Sequence, residues 1–249
     1  MNVLIVHAHP EPKSFSSAMR HAAERCFREG GHAVVVSDLY AMEFNPVASA
    51  EDFPSSQADY LVYALEQRRA YQEGALAADI AAEVAKVLAS DLIIFNFPIF
   101  WFSVPAILKG WIDRVFLSGP FYGGMRFYER GGLAGRKAWA TATLGGRPHM
   151  FGANGIHGEL NALMKPLLQG TLAYVGLEVL DPFYAYHVPY LPREQRDAIM
   201  AEFEEAVRNL DRRLSLRFPR MEAFDDKLYP RIVSTRNTGT QAEERGAKS

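Results

Sequence analysis

Cysteine is almost missing from this chain: Cys26 is the single one in 249 residues, and it falls inside an apolar helical stripe. One thiol supports neither an intrachain disulfide framework nor a thiolate zinc site, and a reducing, cytoplasmic setting fits it. Long apolar runs are missing too. No stretch of about eighteen unbroken apolar residues occurs, and the chain opens directly into a strand without a charged leader. A soluble, unexported protein with no membrane insertion is the expectation. Charge of one sign is also absent: 27 basic and 29 acidic residues leave a formal charge of −2, which provides no electrostatic footprint for nucleic acid or an anionic membrane. There is no G-x-G-x-x-G fingerprint, no Gly-Lys-Ser/Thr phosphate loop and no G-x-S-x-G nucleophile elbow. His7, His9 and Glu11 alternate along one loop but lack the H-E-x-x-H or cysteine-based spacing of a metal centre, so no metal is assigned.

What is present is alternation of strands and helices. Residues 3–6 read as a strand, followed by a helix whose apolar residues Phe15, Ala18, Met19, Ala22, Ala23, Cys26 and Phe27 share one face. Ser14 suits its N-cap and Gly30-Gly31 its stop. Further strands are predicted at 33–36, 92–97, 137–143 and 177–180, and helices at about 59–74, 77–89, 104–116, 159–174 and 194–214. Such alternation implies right-handed crossovers and a parallel sheet covered on both faces. The fold class expected is α/β, a flavodoxin-like doubly wound sheet of five parallel strands in the order 2-1-3-4-5. One domain over 1–215 is expected, then an extension over 216–249 that is mobile from about 234, where bulky apolar residues run out.

Two loops carry the chemical signal. In the expected strand order, the loops after strands one and three flank the topological switch point, where open α/β sheets bind ligands. The first contains His9, Lys13, Ser14, Phe15, Ser16 and Ser17. A helix N-terminus with hydroxyls and cations beside it can hold phosphate, and the same serines also suit an ordinary capped helix start. The second, Pro98-Ile99-Phe100-Trp101-Phe102-Ser103-Val104-Pro105, joins a buried strand to a helix and can wall one edge of a flat ring system. Aromatic residues there also serve as core.

These residues resemble the flavodoxin-like NAD(P)H:quinone oxidoreductases, the DT-diaphorases. The likeness runs through Val3-Leu4-Ile5-Val6-His7-Ala8-His9 with Ser14-Phe15, Ser37-Asp38-Leu39-Tyr40-Ala41-Met42-Glu43-Phe44-Asn45-Pro46, Tyr71-Gln72-Glu73-Gly74, Phe97 to Trp111, and Gly155-Ile156-His157-Gly158. It covers roughly residues 2 to 215. It implies a homodimeric flavoenzyme, holding FAD or alternatively FMN, that takes a hydride from NADPH or NADH and reduces a quinone, with nitro or azo aromatics as further acceptors. In such a family His9, Ser14, Phe15 and Ser16 lie by the flavin phosphates or ribose. Pro98, Ile99, Phe100, Trp101 and Phe102 line the isoalloxazine, and Thr143, Leu144, Gly145 and Gly146 approach its pyrimidine edge. His157 matches the active-site histidine. Tyr122, Phe127 and Tyr128 form an aromatic substrate lid from the partner subunit, and Tyr63 is a candidate adenine contact.

One position departs from the pattern. The tyrosine that partners the histidine in the family is Phe151 here, so its hydroxyl is gone and a two-residue relay cannot operate unchanged. Arg147 and His149 are the nearby groups able to compensate. The alternative function is a flavin-binding ancillary subunit of an ion-efflux system with weak reductase activity.

Overall fold

Short runs rich in β-branched and aromatic residues become five strands: β1 (Asn2–His7), β2 (Ala33–Asp38), β3 (Leu92–Pro98), β4 (Lys137–Thr143) and β5 (Glu178–Ala185). They pair in parallel in the order β2-β1-β3-β4-β5, the flavodoxin-like order expected from the sequence. The computed structural model describes residues 1–56 and 59–231. Two compact units result, Met1–Phe218 and a second beginning at Pro219. The second contains a 3-10 turn at Met221–Ala223, and its Asp225 carboxylate accepts from the N–H groups of Lys227 and Tyr229, both at 2.9 Å. The tail expected to be mobile from 234 lies outside the described residues.

The period of two along each strand sends side chains to two different layers. On one side Val3, Ile5, Ile94, Trp139 and Phe183 meet α1 (Phe15–Glu29) and α7 (Arg193–Arg208). Trp139 stacks on Phe203 of α7 with centroids 5.7 Å apart. On the other side Leu4, Val6, Ile93, Phe95 and Ala140 meet α3 (Ala78–Ala89) and α4 (Ala106–Val115). Fully burying one such side chain is worth about 1.5–3 kcal/mol. An exposed ion pair such as Lys109–Asp113 is worth about 0–1 kcal/mol, so these two layers dominate stability.

Three elements differ from the sequence reading, and one of them is the helix expected over 194–214, which ends at Arg208 so that residues 214–216 pair with β5. Helix 159–174 is broken into α5 (Leu160–Leu163), α6 (Lys165–Leu167) and a π-helical turn, Leu168–Ala173. Pro166 supplies no N–H to the ladder, and the chain reforms its turns around it. β5 runs past the expected stop at 180 to Ala185, because Asp181 and Pro182 are absorbed as a bulge opposite β4 between Trp139 and Thr141. Proline is tolerated there because β5 is an edge strand. The segment after α7 then closes that edge: Asp181 N–H donates to Leu214 O at 2.8 Å and Leu216 N–H to Val179 O at 2.8 Å.

The long connection from β2 to α3, which includes α2 (Tyr63–Glu73), is pinned by one buried cation. Arg114 of α4 donates to Asp52 Oδ1 from Nε at 3.1 Å and from Nη2 at 2.7 Å, to Asp79 at 2.7 Å and to Asn45 O at 2.8 Å. Its guanidinium also lies 5.0 Å from the Phe44 ring centroid. The connection approaches α4 so closely that a Cβ on Gly110 would sit 2.1 Å from Pro46 O. Burial pushes the Asp52 carboxyl up, but hydrogen bonds from Arg114 and Tyr63 outweigh that and hold it below the usual carboxylate range. A depressed carboxylate pKa stabilises the fold above pH ~4, and that stability is lost as pH falls through the folded value. Asp52→Asn is expected to lower unfolding free energy in urea by about 3 kcal/mol or more at neutral pH and to flatten the acid limb of the stability profile.

Candidate active site

A row of polar side chains crosses the sheet just below the carboxyl ends of its central strands. His7, Asn96 and Thr141 occupy matching register positions on β1, β3 and β4, and period two turns all three toward α1. Asn96 Nδ2 donates to Thr141 Oγ1 at 3.0 Å, which leaves Asn96 Oδ1 to accept from His7 Nδ1–H at 2.6 Å. His7 Nε2 lies 3.1 Å from Ser17 Oγ on the first turn of α1. Burial pushes the His7 pKa below its ordinary value, which favours the neutral ring. One row up, Ser16 Oγ and Thr143 Oγ1 are 2.8 Å apart. The first turn of α1 is thereby tied to the ends of β1 and β4.

Ser14 caps that turn, accepting from the Ser17 N–H at 3.1 Å. No acidic side chain lies in the turn, and the N–H groups of Phe15 and Ser16 have no hydrogen-bond partner among the described residues. Before them is a cavity of about 330 Å³ lined by His9, Lys13, Ser14, Phe15, Ser16, Pro98, Ile99, Phe100, Thr143, Leu144 and Gly145. Eleven residues from three loops thus meet at the switch point. Val188, Pro189 and Arg196 complete the wall. The sequence reading did not name these three as site residues, because nothing in the periodicity of α7 singles out Arg196. His9 Nδ1 accepts from the Glu11 N–H at 3.0 Å, which leaves Nε2 to donate; burial pushes the His9 pKa down. Ser16 and Ser17, read as hydroxyl donors to phosphate, instead have hydroxyls engaged with Thr143 and with His7 and Glu11. The available donors are two backbone N–H groups, His9, Lys13 and Arg196. That set and the aromatic loop beside it fit a phosphate joined to a planar ring.

The aromatic loop is bent into a tight turn by reciprocal bonds between Phe100 and Ser103, at 3.0 and 2.9 Å. Its central residues, Trp101 and Phe102, have φ of 51° and 56°. Two consecutive left-handed residues define a type I′ turn, for which Asn-Gly is favoured and bulky aromatics are strained, by about 1–3 kcal/mol each. Trp101 is 96 % exposed, so its own burial offsets none of this. The Ile99 N–H donates to Thr143 O at 2.8 Å and anchors the start of the loop to β4.

His157 is half-buried between two rings, 5.1 Å from Phe102 and 5.2 Å from Phe151, and its ring nitrogens make no hydrogen bond among the described residues. Gly146 permits this arrangement, because a Cβ there would lie 2.7 Å from Phe151 Cε2. Arg147 and His149 line a different cavity, and neither makes a ring contact with His157. Tyr122, Phe127 and Tyr128 gather around Tyr174 at 5.8, 5.6 and 5.8 Å, apart from the cavity lined by Ser16 and Ile99. The Tyr63 hydroxyl donates to Asp52 at 2.5 Å, and burial followed by that bond raises its pKa, so it serves the Arg114 cluster.

Sheet order and switch-point cavity define a flavodoxin-like α/β protein. The flavodoxin-like fold family matches residues 1–210. NAD(P)H dehydrogenase [quinone] 1 of Cavia porcellus is 39% identical over 224 residues, 89% of this chain and 82% of that protein. Ribosyldihydronicotinamide dehydrogenase [quinone] of Mus musculus is 39% identical over 210 residues, 84% of this chain and 91% of its own. Among solved structures, a Klebsiella pneumoniae protein assigned provisionally as a quinone reductase superposes with a TM-score of 0.88 at 34% identity, covering 93% of this chain and 94% of its own. The chain belongs to the flavodoxin-like NAD(P)H dehydrogenase (quinone) family and is an oxidoreductase.

Asn96→Leu leaves His7 Nδ1–H and the Thr141 hydroxyl unpaired in the core, and is expected to cost about 2–3 kcal/mol in urea unfolding; His7→Leu added to it recovers part of the loss. Replacing Trp101-Phe102 by Asn-Gly is expected to stabilise the protein by about 1–3 kcal/mol in the same measurement.

Proposed function

We propose that this chain is a flavin-dependent NAD(P)H:quinone oxidoreductase. The observation that supports the reading is an unblocked helix N-terminus and a strained aromatic loop lining one switch-point cavity, with His157 in ring contact with Phe102 of that loop. When bound, the flavin would accept a hydride from NADPH or NADH and pass two electrons to a quinone in a ping-pong sequence. Quinone reduction is the activity named for the mammalian relatives. Nitro and azo aromatics extend the acceptor class we propose.

The chain's own groups divide the work. The Phe15 and Ser16 N–H groups, His9 and Lys13 would hold phosphate by hydrogen bonds and the helix dipole. Pro98, Ile99 and Phe100 would wall the ring, while Thr143, Leu144, Gly145 and Gly146 would border its polar edge. His157 would donate an N–H where negative charge grows, without a phenol partner, since Phe151 supplies only a ring. FAD is the form we favour, from the resemblance of residues 52–74, with FMN the alternative. The cavity of about 330 Å³ is at the small end of ligand sites, so an adenosine half would extend outside it.

We propose a homodimer in a cytoplasmic setting as the working form. Trp101, Tyr60 and Ile156 are large and almost fully exposed, as contact residues of a second copy would be. Tyr122, Phe127 and Tyr128 lie away from their own chain's cavity, so their role as a lid requires that copy. The ancillary-subunit alternative has no counterpart among the relatives named above.

An anaerobic titration tests the reading. Protein reconstituted with flavin is expected to bleach with NADPH or NADH and to recover its colour with a benzoquinone, and heating identifies the flavin released. His157→Gln is expected to slow bleaching by about 10²-fold, the usual scale for one lost donor at a developing anion. Failure to take up flavin sinks the proposal.

A further inference from the structure

A second cavity, of about 530 Å³, lies between α2 and the loop over residues 119–126. Hydrogen bonds fold that loop on itself: the Gly119 N–H donates to Tyr122 O at 2.7 Å, and Gly123 and Arg126 exchange bonds at 3.3 and 3.1 Å. Arg68 of α2 lies across it. Gly119 and Gly123 have φ of 100° and 134°, and a Cβ on them would sit 2.9 Å from Arg68 Cγ and 2.8 Å from Arg68 Nη2. Glycine at both positions therefore leaves the room that the arginine side chain fills.

The cavity gathers positive charge and aromatic surface. Arg68 and Arg126 both line it, and no carboxylate does. Arg126 Nη1 donates to Gly119 O at 3.1 Å and to Pro120 O at 2.9 Å, and Arg68 Nη2 donates to Ser118 Oγ at 3.3 Å. The remaining nitrogens of the two guanidiniums have no hydrogen-bond partner among the described residues. Asp113 is the acid whose charge reaches Tyr122 alongside that of Arg68, and Lys109 holds it by bonds of 2.6 and 2.7 Å. Tyr71 and Tyr122 line the same space, and Tyr122 is held against Tyr174 at 5.8 Å. A guanidinium fork matches a carboxylate or sulfonate, and its flat face and the two phenol rings match an aromatic plane. A bare inorganic anion would use the charges and leave the rings without a partner.

We propose that this cavity holds the acidic end of the electron acceptor, so that aromatic quinones carrying a carboxylate or sulfonate are taken in preference to uncharged ones. The proposal rests on the quinone reductase reading and on the second copy that brings Tyr122 over a neighbouring flavin cavity. The overall reaction is the one given above: two electrons and one proton leave the donor as hydride, a second proton comes from water, and the quinone becomes the hydroquinone. The acid is an anchor and does not react. One charged hydrogen bond at a solvent-exposed site is worth about tenfold in affinity.

The test uses two readouts on the flavin-loaded protein at low ionic strength. By titration calorimetry, 2-naphthoate is expected to bind about tenfold more tightly than 2-naphthamide, which has the same ring and no charge. Arg68→Gln/Arg126→Gln is expected to remove that difference. Arg68→Gln alone, which leaves the bonds from Arg126 to its loop intact, is expected to remove part of it. In steady-state reduction, the double variant is expected to raise the half-saturating concentration of 1,4-naphthoquinone-2-sulfonate about tenfold relative to that of 1,4-naphthoquinone. Equal binding of the acid and the amide, or a double variant that keeps the preference in either readout, overturns the proposal. Flavin that neither NADPH nor NADH reduces overturns the function proposed above instead, and the calorimetry still decides whether the cavity takes an aromatic acid.

Discussion

The site depends on the hydrogen-bonded row His7–Asn96–Thr141 and the Ser16–Thr143 pair above it. Parallel strands fix only their own register; the position of a helix along the sheet is set by what its first turn touches. Here that turn is held by hydroxyls reaching down to the ends of β1 and β4. Apolar packing of Met19, Ala22 and Phe27 would tolerate small shifts of α1 along its axis, whereas a row of buried donors and acceptors does not, since each displaced partner costs a desolvated polar group. The row is also finely balanced. Ser17 has one hydroxyl proton and three acceptors in reach, Ser14 Oγ, Glu11 O and His7 Nε2, so a neutral His7 competes for it with the cap and the backbone.

This rigid floor lets the loops above it be strained. Trp101 and Phe102 occupy left-handed backbone that bulky residues avoid, and the hydrogen bonds of Phe100, Ser103 and Ile99 keep them there. On the opposite face Arg114 gathers Asp52, Asp79 and Asn45, a cluster that earns little net stability as ion pairs but fixes where the long connection lies. Polar groups specify position in both places, and the apolar layers supply the stability.

Much of this was legible in the sequence because periodicity is a local property. The runs 92–97 and 137–143 became β3 and β4 with little change at their boundaries, and Ser14 is the cap it was read to be. Placing the loops after β1 and β3 together needed only the strand order. What failed to show was settled at a distance. The bulge that carries β5 past Pro182 depends on its being an edge, and the break around Pro166 depends on neighbours that accommodate it. Ser16 and Ser17 read as phosphate donors because their partners, Thr143 and His7, are remote in sequence. Tyr63 read as a free ring because Asp52 was not known to claim its hydroxyl. Arg196 joins the cavity from the far side of the fold, and Tyr122, Phe127 and Tyr128 collect around Tyr174, which no local pattern reports.

The strap after α7 has a consequence for self-association. With residues 214–216 pairing along the first part of β5, that edge offers an incoming strand less free backbone than β2 does among the described residues. Strand addition is thereby biased toward β2, and pairing through that edge joins two sheets about a two-fold axis and then closes.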